Sequence, residues 1–331
     1  MSGGDLAALS AALLQRSGLQ GKRDIQAAAS TFAHHPFPEL GTAAALGDDA
    51  ALLPAEAGSL LFACEGMHPG LVESDPWFAG WSGVLVNLSD IAAMGGRPIA
   101  VVNSLWSRSD DHAVQLFAGL RFACERFAVP MVGGHTNRQS PYNALSVAVL
   151  GSAPGPVLSA RAARPGDRLW LLVNPDGAFR DPHPFWDAAT TAAPELLRAQ
   201  LALLPQLAQE RLVHAAKDIS MGGLVGTAVM FAEAAGLGLE IELEAIARPA
   251  GVREEAWLTG FPSFGFLLAV APQQERALAE RLAGLPSLLA CPIGSFSAAH
   301  TNVVLGRSGE RSTFWQGNRP LTGFGGNMPP L

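Results

Sequence analysis

The stretch DPWFAGWSGVLVNLSDIAAMGGRP (75–98) decides how this chain is read. Asp75 followed by Pro76 has the form of a helix N-cap and first helical residue, and Gly95-Gly96 has the form of a stop. Between these signals nearly every residue is apolar or small, so a buried helix is expected, with Asp90 two-thirds of the way along it. A carboxylate in such a helix is costly to bury unless a cation or a set of donors meets it. Asn87 lies one turn earlier on the same face, and Gly83 and Met94 extend that stripe. The plain alternative is a surface Asp near a helix end.

Upstream, LGDDAALLP (46–54) places Asp48 and Asp49 side by side before a short apolar strand. Neighbouring side chains of a regular strand point to opposite faces, so both reach one site only from a loop or a strand entrance. Glu65 follows the apolar strand SLLFAC (59–64), a position where strand ends carry functional groups. Hard cations such as Mg²⁺ are held by one or two carboxylates together with phosphate oxygens and water. Four acids at strand and helix edges, Asp48, Asp49, Glu65 and Asp90, therefore point to a metal site. A polar Gly-Asp-Asp turn is the structural alternative for the first two.

The 331 residues are enough for two domains, and 49% hydrophobic against 15% charged residues fits a large core or an extensive oligomer interface. No segment reaches 18 uninterrupted apolar residues, so no membrane span is expected. The opening MSGGDLAALSAALLQRSG lacks the basic start and cleavage site of a signal peptide and reads as an amphipathic helix, from which a cytoplasmic location is expected. A net charge of −7 without a basic cluster argues against nucleic acid as a partner. Cys64, Cys124 and Cys291 are scattered in apolar runs and read as buried thiols. Arginine outnumbers lysine 20 to 2, which draws attention to Lys22 and Lys217.

The patterns give helices over about 5–17 and 23–34, strands over GDDAALL and 59–64, and the helix of 76–94. A strand at 98–105, a helix at 110–127, and strands at 129–134 and 143–151 follow. The Pro-, Gly- and Arg-rich segment 151–168 reads as an inter-domain connection, and a second strand–helix series starts at RLWLLVN (168–174). Two α/β layered domains are expected, 1–153 and 154–331. The tail 316–331 looks irregular, either mobile or folded over a partner.

Two further blocks look chemical. In VGGHTNRQSP (132–141) a short strand ends in Gly133-Gly134, where the missing side chains let backbone approach a ligand, and His135 follows. His135 could bind metal, contact phosphate or cap a turn. In AAKDISMGGLVGTAVMFAEAAG (215–236), Lys217 and Asp218 precede Gly222-Gly223 and a helix of small and apolar residues. Helix N-termini bind anions, which makes Gly222 and Gly223 candidate anion contacts, whereas Asp218 could be a mere N-cap and Lys217 a solvated lysine. The GxxxxGK[ST] pattern of a P-loop is absent.

Together these blocks resemble the AIR synthase superfamily, from about residue 40 to 305. GDDAALL and VNLSDIAAMGGRP look like its thiamine-monophosphate kinase branch, GGHT is similar to the glycine loop of selenophosphate synthetase, and KDISMGG resembles the kinase segment DISDG. The resemblance implies an N-terminal α/β domain that pairs its sheet, as a sheet or barrel, with a second subunit in a homodimer. It also implies a C-terminal α/β domain, with ATP between the domains and Mg²⁺ on its phosphates. Carried over by position, Asp48, Asp49 and Asp90 match metal ligands, and Glu65 stands where the family usually has Asp. His135 takes the glycine-loop position, Asp218 matches the first Asp of the C-terminal block, and Asn87 matches a residue near the nucleotide.

Departures bear on the reaction. Met221 replaces the second Asp of DISDG, no Cys precedes Cys64, and the chain closes on Pro-Pro-Leu, where the hydrogenase-maturation branch has its cysteine. The stretch NPDGAFRDPHPFWDA (174–188) fits none of the named branches and lies where substrate-facing loops are expected. The leading expectation is an ATP- and Mg²⁺-dependent phosphotransferase or ATP-activating enzyme acting on an unidentified small molecule. Positioning and charge stabilisation carry such a reaction. The alternatives are a non-catalytic ATP- or metabolite-binding subunit and a metal-dependent hydrolase without ATP.

Overall fold

The computed structural model describes residues 6–26, 48–55 and 58–325. Two compact units emerge: Asp49–Gly155 with Thr191–Gln206, and a second built from the chain up to Asp48, Pro156–Thr190 and Leu207 onward. The expected cut at 153/154 lies two residues before the Gly155/Pro156 division, and the opening helices and residues 191–206 cluster with the unit across it. Leu6, Leu13 and Leu19 of the opening helices α1 (Leu6–Leu14) and α2 (Ser17–Gly21) are buried in the core of the second unit. Helix α6 (Pro194–Leu201) joins the first unit, where Arg198 donates to the Arg126 carbonyl at 3.1 Å. The expected helix over 23–34 lies outside the described residues beyond Gln26.

The first unit runs β1 (Ala51–Ala55), β2 (Gly58–Gly66), α3 (Pro69–Ser74), α4 (Pro76–Ala93), β3 (Arg97–Trp106), α5 (Asp110–Phe127), β4 (Met131–Asn137) and β5 (Ala144–Ala153), followed by α6. Its five strands form one sheet in the order β1-β2-β5-β3-β4, antiparallel except for the β3–β4 pair. Alternation along the strands sends Leu61, Val101, Val147 and Val149 to one face, all buried. Helix α4 covers that face, closely enough that a Cβ on Gly83 would stand 3.0 Å from a Val147 methyl and one on Gly151 would stand 2.6 Å from Ile91. The helix starts as its sequence dictates, with Pro76 in the first turn and the Asp75 carboxylate accepting from the Phe78 N–H at 3.1 Å. Phe62, Cys64 and Val102 stand on the opposite face and are exposed. Among the described residues this sheet is open, not a closed barrel.

The second unit contains β6 (Arg168–Val173), β7 (Ala178–Phe179), β8 (Phe185–Asp187), β9 (Ala215–Asp218), α7 (Gly223–Ala235), β10 (Gly238–Glu242), α8 (Glu254–Thr259), β11 (Phe261–Pro262), β12 (Gly265–Val270), β13 (Leu289–Ser297), β14 (Val303–Arg307) and β15 (Glu310–Trp315). Seven of these strands make a mixed sheet ordered β15-β14-β10-β13-β6-β12-β9. Its core joins Leu169, Leu171, Leu267 and Ile241 of the sheet to Leu224, Ala228 and Phe231 of α7. The unusual stretch 174–188 supplies β7 and β8, which pair with β11 in a separate three-stranded ribbon. Trp186 locks that ribbon, meeting Phe179 edge-on at 5.3 Å and Trp257 at 5.2 Å. Residues 316–325 fold back over their own unit: Leu321 is fully buried, and the Glu233 carboxylate accepts from the Thr322 and Gly323 N–H groups at 2.9 and 3.0 Å. Among the described residues no helix is long and apolar enough to cross a membrane.

Candidate functional site

In the first unit the sheet register aligns four predicted or newly apparent positions in one row. Glu65 of β2 faces Val147 of β5, Val147 faces Asn103 of β3, and Asn103 faces Gly134 of β4. Paired residues share a face, and the burial of Val147 marks it as the face under α4. Helix α4 presents Gly83, Asn87 and Asp90 on one stripe, and Gly83 rests on Val147 of this row. The surface reading of Asp90 is thus excluded: the residue is 6% exposed.

Two amide groups at this layer carry unused acceptors. Asn87 is fully buried, its Nδ2 donates to the Gly83 carbonyl at 2.7 Å, and its Oδ1 has no hydrogen-bond partner among the described residues. Asn103 is 8% exposed, its Nδ2 lies 3.3 Å from the Met131 sulfur, and its Oδ1 is likewise unpartnered. A buried acceptor left unmade costs about 1–3 kcal/mol, which is hard to explain as packing alone. Sequence reasoning missed Asn103, although a polar residue at an inward position of IAVVNSLW, between Val101 and Leu105, was a readable signal. Amide and carboxylate oxygens are the donor type that suits a hard cation.

The structure does not draw every predicted residue into that set. Among the described residues no three His, Cys, Asp or Glu side chains gather as a metal-holding group, so the four acids do not form one cluster. The reason is their placement: Asp48 belongs to the second unit, while Asp49 precedes β1, Glu65 is on β2 and Asp90 is on α4. Strand β4 does not end at Gly133-Gly134 but continues to Asn137, so His135 is a strand residue rather than a loop residue. Its partner in register is Ser104, which puts His135 on the face opposite Glu65 and Asn103, exposed and 6.5 Å from the Trp106 ring. Gly134 has a packing duty, because a Cβ there would stand 2.6 Å from the Asn103 carbonyl oxygen; at Gly133 a Cβ would make only an ordinary contact, 3.8 Å from a Val102 methyl.

In the second unit Asp48 already has work. Its carboxylate accepts from the Ser159 hydroxyl and, at 3.3 Å, from the Ala160 N–H, tying down a short 3₁₀ turn at Ala160–Ala162. Lys217 and Asp218 lie on β9 and are both 6% exposed, which rules out a solvated lysine. Nor is Asp218 the helix cap, since the N-cap of α7 is Gly222, without a side-chain hydrogen bond. Gly223 has φ +66°, and a Cβ there would stand 2.5 Å from Thr259, so this glycine is demanded by packing whatever else it does. A cavity of about 370 Å³ in this unit, lined by Val229, Glu233, Trp315 and Arg319 among others, includes none of the predicted residues. The thiols differ from expectation: Cys64 is exposed, while Cys124 and Cys291 are partly buried.

Comparison with known proteins agrees with both units. Residues 47–153 match the N-terminal domain, and residues 165–306 the C-terminal domain, of AIR synthase related protein. An uncharacterized protein of Synechocystis sp. is 47% identical over 317 residues, covering 95% of this chain and 97% of that protein. A thiamine-monophosphate kinase of Synechococcus elongatus is 29% identical over 267 residues, covering 71% of this chain and 80% of the kinase. The solved AaThiL complex with AMPPCP and TMP shares the fold, with a TM-score of 0.61 at 21% identity over 83% of this chain and 91% of that one. With both domains matched in order over most of its length, the chain belongs to the AIR synthase-related family.

Proposed function

We propose that this protein binds ATP with Mg²⁺ and transfers or activates a phosphoryl group on a small-molecule acceptor. The observation that carries the reading is the buried Asp90 on one helix stripe with Asn87, whose amide oxygen is buried without a partner among the described residues; the sheet holds a second such oxygen, that of Asn103. Bound Mg²⁺ would supply neutralisation of phosphate charge. Asp90 would meet the cation directly, whereas Asp49, Glu65 and Asp48 do not gather with it among the described residues and would add ligands only on rearrangement, Asp48 by releasing its bonds to Ser159 and Ala160. The Asn87 and Asn103 oxygens would accept from the cation's water shell or from ligand N–H groups. Within the second unit, buried Lys217 would offer positive charge to a phosphate group and Asp218 would orient an acceptor. His135, on the other face of its sheet, is left out of this chemistry.

The chain is further proposed to be a homodimer paired through the uncovered sheet face. Phe62 and Val102 stand there 46% and 39% exposed, and β4 lies at the sheet edge. A non-catalytic nucleotide-binding subunit remains the second reading, favoured by Met221 in the block where the kinase branch has Asp. Calorimetry decides the first point: Mg·ATP should bind the wild type and bind Asp90→Ala at least tenfold more weakly, and equal affinities sink the assignment. ADP or AMP release with a panel of small phosphate acceptors separates enzyme from subunit.

A further inference from the structure

The block carrying Lys217 and Asp218 is gripped by the start of the chain. A Cβ on Gly18 of α2 would stand 1.8 Å from the Met221 carbonyl oxygen and 2.9 Å from its carbon, so α2 touches this backbone as closely as atoms allow. The next residue, Leu19, is 1% exposed and lies 3.2 Å from where a Cβ on Gly226 would be, one turn into α7. From α8, Leu258 and Thr259 press on Gly223, whose Cβ would meet Thr259 at 2.5 Å. Residues 219–223, the span between Asp218 and the first turn of α7, are thus held by two elements that are remote from them in sequence.

We infer that α2 is a positioning element for the Lys217–Asp218 block, seated through Gly18. The inference rests on the phosphoryl-transfer reading given above and adds to it a segment that lies before the matched family domains. Met221 is only three residues after Asp218. A push of 1 Å or so on its carbonyl displaces the strand end that sets the Asp218 and Lys217 side chains, and misplacement on that scale is costly to a preorganised site. Gly18 itself would touch no ligand.

The chain contains its own control. Gly21 lies in the same short helix, has nothing within 4 Å of its would-be Cβ, and like Gly18 does not have positive φ. Gly18→Ala and Gly21→Ala therefore make the same chemical change, one with a collision and one without. In the full chain, Gly18→Ala is expected to weaken Mg·ATP binding at least tenfold by calorimetry. Exchange of the 219–223 amides should also quicken at least tenfold, while Gly21→Ala matches the wild type in both. A melting temperature that falls in Gly18→Ala with nucleotide affinity intact would mark a purely structural contact and overturn the inference. If Gly18→Ala does not fold, Leu19→Ala, which loosens the same seat, must show both effects or the inference fails. Should the wild type bind no Mg·ATP, the phosphoryl-transfer reading falls by itself. The exchange comparison then decides the seating alone, and equal exchange in both variants overturns it.

Discussion

Gly80 of α4 and Gly119 of α5 let their helices meet backbone to backbone. A Cβ on Gly80 would stand 2.2 Å from the Leu116 carbonyl oxygen, and one on Gly119 would stand 1.9 Å from that of Trp77. Alanine at either site gains helix propensity of about 0.5–1 kcal/mol but forces the pair apart, and overpacking of this kind costs about 1–3 kcal/mol. Each single variant is expected to lower the denaturant midpoint. The double variant should lose less than the sum, because helices already parted have room for the second methyl. Strict additivity in urea titrations would show that the two contacts are independent.

Asp90 is expected to couple nucleotide binding to the metal. Wild-type affinity for ATP should drop at least tenfold when EDTA removes Mg²⁺, and Asp90→Asn should bind ATP weakly and equally with and without the metal. Calorimetry of both proteins in both buffers makes the comparison. An Asp90→Asn variant that still responds to Mg²⁺ like the wild type would place the cation elsewhere.

Asn103→Leu should separate stability from function. Replacing an amide whose oxygen is buried without a partner by an apolar side chain of similar size removes a penalty of about 1–3 kcal/mol. The variant is therefore expected to melt higher than the wild type and to bind Mg·ATP more weakly. If both melting temperature and affinity fall, Asn103 serves packing alone.

The architecture was legible because α4 states itself in local signals: a cap, a proline, an apolar run and a glycine stop, all at the expected places. Strand alternation gave the sheet, and Asp90 stood out because a carboxylate conflicts with its apolar surroundings. What could not be read was register. Nothing in the spacing of Glu65, Asn103 and Gly134 reveals that strand pairing aligns them in one row, or that His135, one residue from Gly134, must face the other way. The seat of the opening helices was equally hidden, since their apolar stripe fits any core and only the folded chain shows which one they enter.

Burial pushes the Cys124 thiol up to about 11 from 9.0 and raises Cys291 as well. A thiol whose folded value is raised binds its proton more tightly in the native state. Its stabilising contribution is complete below about 9 and is lost as pH climbs from about 9 to about 11 for Cys124. Unfolding midpoints measured from pH 8 to 11 should fall across that window, and less steeply in Cys124→Ala. Iodoacetamide at pH 8 should modify Cys64 of the dissociated chain well before the other two, as its exposure there dictates.

The proposed pairing through the open sheet face makes a prediction of its own. Phe62→Arg places a charge among exposed apolar side chains and should turn a dimer into a monomer by sedimentation while leaving the far-ultraviolet spectrum unchanged. Cys64 shares that face with Val102 through their common partner Ala148, so its alkylation should speed up on dilution of the wild type. A wild type that sediments as a monomer at all concentrations would rule the pairing out.

Helix α1 lies against β15, so the first described helix of the chain leans on the last described strand of the second unit. A ribosome making this protein must reach residue 315 before the opening helix finds its resting place. Until then Leu6 and Leu13 have nowhere to hide, and the first unit, whose strands and main helices are all synthesised earlier, can assemble ahead of them. Biogenesis should accordingly proceed from the first unit outward, with α1 and β15 closing last, as a clasp.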